Sequence, residues 1–416
     1  MPHAFGRPLR IALYSHDTMG LGHARRNGLI ASALAGAPLG AEVLLITGTR
    51  EAGTFPLPRG VDCVTLPAYR KDHNGGYSAR SLIRETESLT RLRARLIEVA
   101  LAQFGPDVFI VDNVPRGALN ELDPVLHELR RAGRTRTVLG LRDVLDDPEA
   151  VRRQWAALSN EAVIERCLDA VWVYGDQRVN DVGEAYGLAA ATRARLRHIG
   201  YLDQAWRLAA APAVSTPPGA VLCCVGGGQD GALLARTFLE VELPPGRTGL
   251  VLTGPFMPAE ARLELERRAA ERPGFAVLPF VAEPIGHIAR AERVITMGGY
   301  NTVNELLSLG RPGLIVPRVQ PRREQLIRAE RLAALGLVDW LHPDRLDARA
   351  LTTWLHQPPT ATADPRQLLD FGALARLPGL VAELVGRHPV DGAANRRPHL
   401  ATCLEGARHG IDPRAA

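Results

Sequence analysis

Short β-branched runs alternate with longer amphipathic stretches along most of this 416-residue chain, and that alternation leaves few folds open. It predicts parallel strands joined by crossover helices, an α/β architecture. In the first half the strands are expected at Leu9–Ser15, Glu42–Thr47, Val61–Leu66, Asp107–Asp112, Thr137–Leu141, Ala170–Tyr174 and Leu196–Ile199. An Ala/Pro-rich stretch follows, and the pattern restarts at Ala220–Val225, Gly249–Thr253, Ala276–Pro279, Arg293–Met297, Gly313–Pro317 and Val338–Leu341.

The reading is therefore two open α/β domains, 1–203 and 219–362, joined by a linker at 204–218. Segment 363–386 reads as a helix free to return to the first domain. The polar, Arg/Pro/Gly-rich 387–416 reads as a tail. A long helix is predicted over Ser81–Gln103, with Leu82, Leu89, Leu92, Leu96 and Val99 on its apolar face. Arg84, Arg91, Arg93 and Arg95 then fall on a solvated face, the one feature suited to an anionic membrane surface.

Lys71 is the only lysine in the chain. A P-loop, a pyridoxal Schiff base and protein-kinase machinery each need a lysine in a setting this one lacks, so those chemistries are excluded. The 50 basic residues are interspersed with 45 acidic ones, and the net charge of +5 marks no nucleic-acid face. No signal peptide or membrane-length apolar run is present, so a cytoplasmic protein is expected. Cys63, Cys167, Cys223, Cys224 and Cys403 form no CxxC pair and read as reduced thiols, with no metal site expected.

Two glycine loops carry chemistry. The first, Gly20-Leu21-Gly22-His23, links the first strand to a helix. It is not a dinucleotide fingerprint: Arg25 stands at the third glycine, and strand Glu42–Thr47 ends without the ribose-binding carboxylate. His23 at a helix start is kept neutral by the dipole, which suits a general base; a packing or capping histidine is the competing reading. Asp112, at a strand end, either orients that ring or caps the helix beyond Gly117.

The second loop, Gly226-Gly227-Gly228-Gln229, follows strand Ala220–Val225 and makes a cradle of backbone N–H groups for a diphosphate. Further on, Gly298-Gly299-Tyr300-Asn301-Thr302-Val303-Asn304-Glu305 again joins a strand to a helix, and Glu324-Gln325 opens another. A carboxylate at Glu305 is placed to accept hydroxyl hydrogen bonds, as from a ribose, and Gln325 suits sugar hydroxyls.

This set resembles the donor-site signature of GT-B glycosyltransferases: Gly298 through Glu305, then Arg311-Pro312, a strand to Pro317, Gln325 and Ala329. The branch it is most similar to makes lipid II by transferring N-acetylglucosamine, a family 28-like C-terminal domain. Segment Val111–Gly117 resembles a group of predicted bacterial glycosyltransferases. The resemblance implies a GT-B fold, two Rossmann-like domains facing each other across a cleft. It implies an inverting, metal-independent hexosyltransferase that takes a pyrimidine nucleotide diphosphate sugar, UDP rather than dTDP, and an acceptor hydroxyl or amine. His23 would be the base, assisted by Asp112. Glu305 would hold the ribose and Gln325 the sugar. Asn301 and Thr302 would lie near the diphosphate with Gly227, Gly228 and Gln229, Phe280 and Val281 would line the base pocket, and Gly22, Gly298 and Gly299 would complete the donor-binding set. Glu324 departs from the glutamine usual there, which affects the hexose contact. A GT-B-fold UDP-sugar epimerase and a non-catalytic nucleotide-sugar-binding subunit share most of these features. The acceptor is not written in the sequence.

Overall fold

In the computed structural model, residues 7–16, 22–49, 57–71, 76–278, 280–361 and 363–386 are described. The loop residues Asp17–Leu21, most of the 69–77 loop tip, Pro279 and the 387–416 tail lie outside them.

The first half contains β1 (Arg10–Ser15), β2 (Glu42–Thr47), β3 (Val61–Thr65), β4 (Tyr69–Lys71), β5 (Tyr77–Ala79), β6 (Val108–Asp112), β7 (Arg136–Arg142), β8 (Ala170–Tyr174) and β9 (Leu196–His198). The second half contains β10 (Ala220–Cys224), β11 (Thr248–Leu252), β12 (Phe275–Leu278), β13 (Arg293–Thr296), β14 (Gly313–Ile315) and β15 (Asp339–Trp340). Two parallel sheets result, ordered β3-β2-β1-β6-β7-β8-β9 and β12-β11-β10-β13-β14-β15, and β4 and β5 form a separate antiparallel hairpin. Strands β6, β8 and β10 are buried along their whole length, because helices cover both faces of each sheet.

Each sheet reverses direction once, between β1 and β6 and between β10 and β13. Ligands of open α/β sheets gather outside the carboxyl ends of strands at such switch points. Helix Gly22–Ala35, which follows β1, starts at one of them, and the glycine loop 226–229, which follows β10, lies at the other.

The halves are joined by a continuous apolar cluster and by polar contacts. Helix Ala373–Leu384 packs against helix Gly22–Ala35, which carries the end of the chain back to the first sheet. It does not run unbroken from 364: Pro365–Leu368 is a separate turn, and Gly372 bridges to Leu202. Arg328 of helix Glu324–Ala334 reaches Asp143, with Nη2 2.8 Å from Oδ1 and both side chains buried. Tyr300 donates its hydroxyl to the Tyr174 carbonyl at 2.8 Å.

Two expectations need correction. The helix read as Ser81–Gln103 spans Thr86–Phe104, and its buried face is Leu89, Arg93, Ile97 and Leu101. Leu82, Leu96 and Val99 are exposed. The expected face was displaced because Arg93, counted as solvated, is wholly buried and bidentate to Glu121 at 2.6 and 2.7 Å. Tyr14 and Tyr69 donate to the same carboxylate, which satisfies the charge that an apolar-pattern argument assumes must face water. Segment 204–218, read as linker throughout, begins with a 3-10 helix at Gln204–Ala210 in which Gln204 and Arg207 are buried.

Candidate active site

Between the two switch points lies a cavity of about 300 Å³, the lower end of the range of small-molecule sites. Its walls come from both halves of the chain.

On the first-half wall, helix Gly22–Ala35 begins directly after the first loop, so His23 stands in its first turn. His23 Nδ1 is 2.5 Å from Asp112 Oδ2. Arg26 Nη2 also lies 2.9 Å from Nδ1. Because the Asp112 carboxylate can only accept, the shorter contact assigns the proton to Nδ1 and the lone pair to Nε2. Asp112 ends β6, next to β1, and is 2% exposed. Of its two readings the structure takes the ring-orienting one. Arg26, one turn beyond His23, grips the same carboxylate, with Nε 3.1 Å and Nη2 2.7 Å from Oδ1. Burial by itself would raise the Asp112 pKa; the charges of Arg26 and then His23 outweigh it and hold the carboxyl well below the usual range. Asp112 itself stands behind His23 and does not line the cavity.

Gly22 lines the first-half wall; on the second-half wall, Gly227, Gly228, Gln229, Gly299, Asn301 and Thr302 line the cavity. Gly228 has φ +92°, and a Cβ there would lie 2.2 Å from the Thr253 carbonyl oxygen, so only glycine fits that bend. Asn301 Nδ2 donates to the Gly22 carbonyl at 2.9 Å, which ties helix Tyr300–Ser308 to the start of helix Gly22–Ala35. Phe280 and Val281 form part of the same lining, with Phe280 41% exposed. Gln325 also lines the cavity, its Oε1 accepting from the Arg318 amide at 2.9 Å.

Three expected site residues are arranged otherwise. Glu305 lines the cavity but is only 1% exposed, and its Oε1 accepts from Arg207 Nη1 at 2.6 Å. Among the described residues no such bond reaches Oε2, so accepting capacity remains on both oxygens, more of it on Oε2. Gly298 is outside the lining; its carbonyl accepts from Arg328 Nη1 at 3.0 Å. Glu324 is also outside it, held by Arg318 Nη2 at 2.6 Å, with Oε2 buried and without a partner.

The arginines of this site are what the sequence reading missed. Arg26 had a legible signal, since a residue at i+3 shares a helix face with His23. Arg207 had a weaker one: Asp203 caps the short helix that carries it, accepting from the Ala205 amide at 3.0 Å. Arg207 also binds Glu283, with Nε 3.0 Å from Oε2. Arg25, across from it, donates to the Ala282 carbonyl at 2.8 Å. Burial lowers the Arg25 pKa, and Glu305 partly restores it. Among the described residues no group of three or more His, Cys, Asp or Glu is arranged to hold a metal ion, and no helix is long and apolar enough to cross a membrane.

Two Rossmann-like sheets with a cavity between their switch points define a GT-B-fold protein, and this chain has that fold. Comparisons with known proteins agree. The crystal structure of CalG4, the calicheamicin glycosyltransferase, superposes with a TM-score of 0.61 over 91% of this chain and 99% of that one, at 15% identity. The MurG structure from Acinetobacter baumannii gives 0.56 over 90% of this chain and 100% of that one, at 14% identity. In sequence, the chain is 29% identical over 145 residues to the UDP-N-acetylglucosamine–N-acetylmuramyl-(pentapeptide) pyrophosphoryl-undecaprenol N-acetylglucosamine transferase of Acidothermus cellulolyticus. That match spans 34% of this chain and 39% of the relative's length. No family model matches.

Proposed function

We propose that this chain is an inverting, metal-independent glycosyltransferase. It moves a hexose or N-acetylhexosamine from a pyrimidine nucleotide diphosphate sugar, UDP rather than dTDP, to an acceptor hydroxyl or amine. The observation that carries the reading is the His23–Asp112 contact opening onto the same cavity as the Gly226–Gln229 loop. A base and an anion cradle face one another across a space the size of a small ligand. The similarity to a UDP-N-acetylglucosamine-dependent transferase supports the choice of donor.

In this reading the acceptor heteroatom attacks the anomeric carbon from the side opposite the diphosphate. The new bond forms as the bond from the anomeric carbon to the phosphate oxygen breaks, and the electron pair leaves with the nucleoside diphosphate. His23 Nε2 takes the acceptor's proton, and Asp112 stabilises the imidazolium that results. Loop amides and the N-terminus of helix Tyr300–Ser308 receive the charge on the departing diphosphate. Glu305 Oε2 accepts from a ribose hydroxyl, and Gln325 meets the sugar.

The test is thermal unfolding of the chain with UDP, dTDP, GDP and their sugars, in the presence of EDTA. At about 100 times Kd a bound ligand adds about 2.7 kcal/mol, a rise of several degrees in midpoint. A rise with UDP that is weakened in Glu305→Gln is the expected result. Flat midpoints for every nucleotide would leave the donor assignment without support.

A further inference from the structure

The charges lining the cavity do not balance locally. Four arginines line it: Arg25, Arg26, Arg142 and Arg318. Three have carboxylate neighbours. Arg25 is 4.0 Å from Glu305, Arg26 is bound to Asp112, and Arg318 is bound to Asp230 and Glu324. Arg142 makes no ion pair among the described residues. Its one side-chain hydrogen bond there is from Nε to Asn113 Oδ1 at 3.2 Å.

That bond orients the guanidinium. With Nε turned to Asn113, the Nη1 and Nη2 donors have no protein acceptor among the described residues. A planar guanidinium with free donors is matched to a carboxylate or phosphate. Arg142 also stands among like charges: burial first, then the Arg26 charge and more weakly those of Arg328 and Arg322, bring its pKa down to about 10, and Glu324 only partly offsets them. An isolated cation kept in such a place is stabilised when an anion arrives.

Position decides which anion. Arg142 ends β7, the neighbour of β6, and Asn113 directly follows Asp112. The fork therefore belongs to the same first-half strand ends as His23 and Asp112. The diphosphate of a donor has its own cradle on the other wall, at Gly226–Gln229. We propose that Arg142 anchors an anionic group, a carboxylate or a phosphate, carried by the acceptor, so that this enzyme glycosylates negatively charged acceptors. The proposal rests on the transferase reading above.

Calorimetric titration of wild type, Arg142→Gln and Arg142→Lys tests it. Each protein is titrated with UDP, and then, saturated with UDP, with inorganic phosphate and separately with acetate. The expected result is that phosphate or acetate binds UDP-saturated wild type and binds Arg142→Gln weaker by about tenfold or more, while UDP affinity stays within about twofold. Arg142→Lys, which keeps the charge but loses the fork, should fall between them and guards against a folding defect. A comparable loss of UDP affinity in Arg142→Gln would overturn the proposal and assign the residue to the donor diphosphate. Anion binding that is absent from wild type, or equal in wild type and Arg142→Gln, would overturn it too. Wild type that binds no UDP sinks the donor reading instead, a separate and recognisable outcome.

Discussion

Arg207 Nη1 sits 2.6 Å from Glu305 Oε1, joining a helix in the segment between the sheets to the helix that carries this cavity-lining carboxylate. Because Arg207 also holds Glu283, one guanidinium sets the position of two acidic side chains at the cavity's edge. The Glu305 carboxylate is thus positioned before any ligand arrives, and the same contact occupies one of its roughly four accepting sites.

Removing Arg207 leaves Glu283 without its cation and Glu305 with Arg25 alone, 4.0 Å away. Arg207→Ala is expected to cost about 3–5 kcal/mol, read by denaturant unfolding. Glu305→Gln keeps an acceptor for Arg207 and should cost clearly less. Equal costs for the two variants would mean that the ion pair does not organise this edge.

His23→Ala should lower sugar transfer, or slow hydrolysis of the UDP-sugar, by about a hundredfold to ten-thousandfold, the usual worth of a general base. UDP affinity should be unchanged, because the imidazole belongs to the opposite wall. Turnover that survives the substitution would remove the base assignment and leave the fold as it is.

Asp112 gives a pH signature. Its pKa is lower folded than unfolded, so its contribution to stability is complete above the unfolded value. That contribution fades as pH falls from about 4 through the native value. The stability gap between wild type and Asp112→Asn is therefore expected to be level above about pH 5 and to narrow below about pH 4. At neutral pH the gap should be about 3–5 kcal/mol, since Arg26 is left buried without its partner. Melting curves across pH check both the size and the direction.

Gly228→Ala should weaken UDP binding more than it weakens the fold. The new methyl group would meet the Thr253 carbonyl at 2.2 Å in a backbone conformation with φ +92°, so the loop must shift. Misplaced amides cost affinity by about tenfold or more. Gly227→Ala is the control: its nearest obstacle is the Phe256 ring at 3.7 Å, ordinary contact. If both variants bind UDP alike, the loop does not cradle the nucleotide.

The strands of the two parallel sheets and their order of appearance were legible in the chain, because a parallel strand buried on both faces must be an uninterrupted apolar run; the β4–β5 hairpin, with no such run, was not. Both strand-to-helix glycine loops were legible for a related reason: backbone that bends sharply or approaches a ligand closely excludes side chains. His23 and Asp112 were legible as candidates, since each stands at a strand end or helix start. Buried arginines were not. Arg26, Arg93, Arg142 and Arg207 look in sequence like any other of the arginines that dominate this chain's positive charge. What separates them is a carboxylate about 30 to 100 positions away, or in Arg142 the lack of one. Local pattern fixes which segments become strands and helices, because periodicity and backbone freedom act over a few residues. Which charges are buried, and which are left for a ligand, was decided only when folding brought distant segments within hydrogen-bonding reach, because the cost of burying a charge depends on its partner.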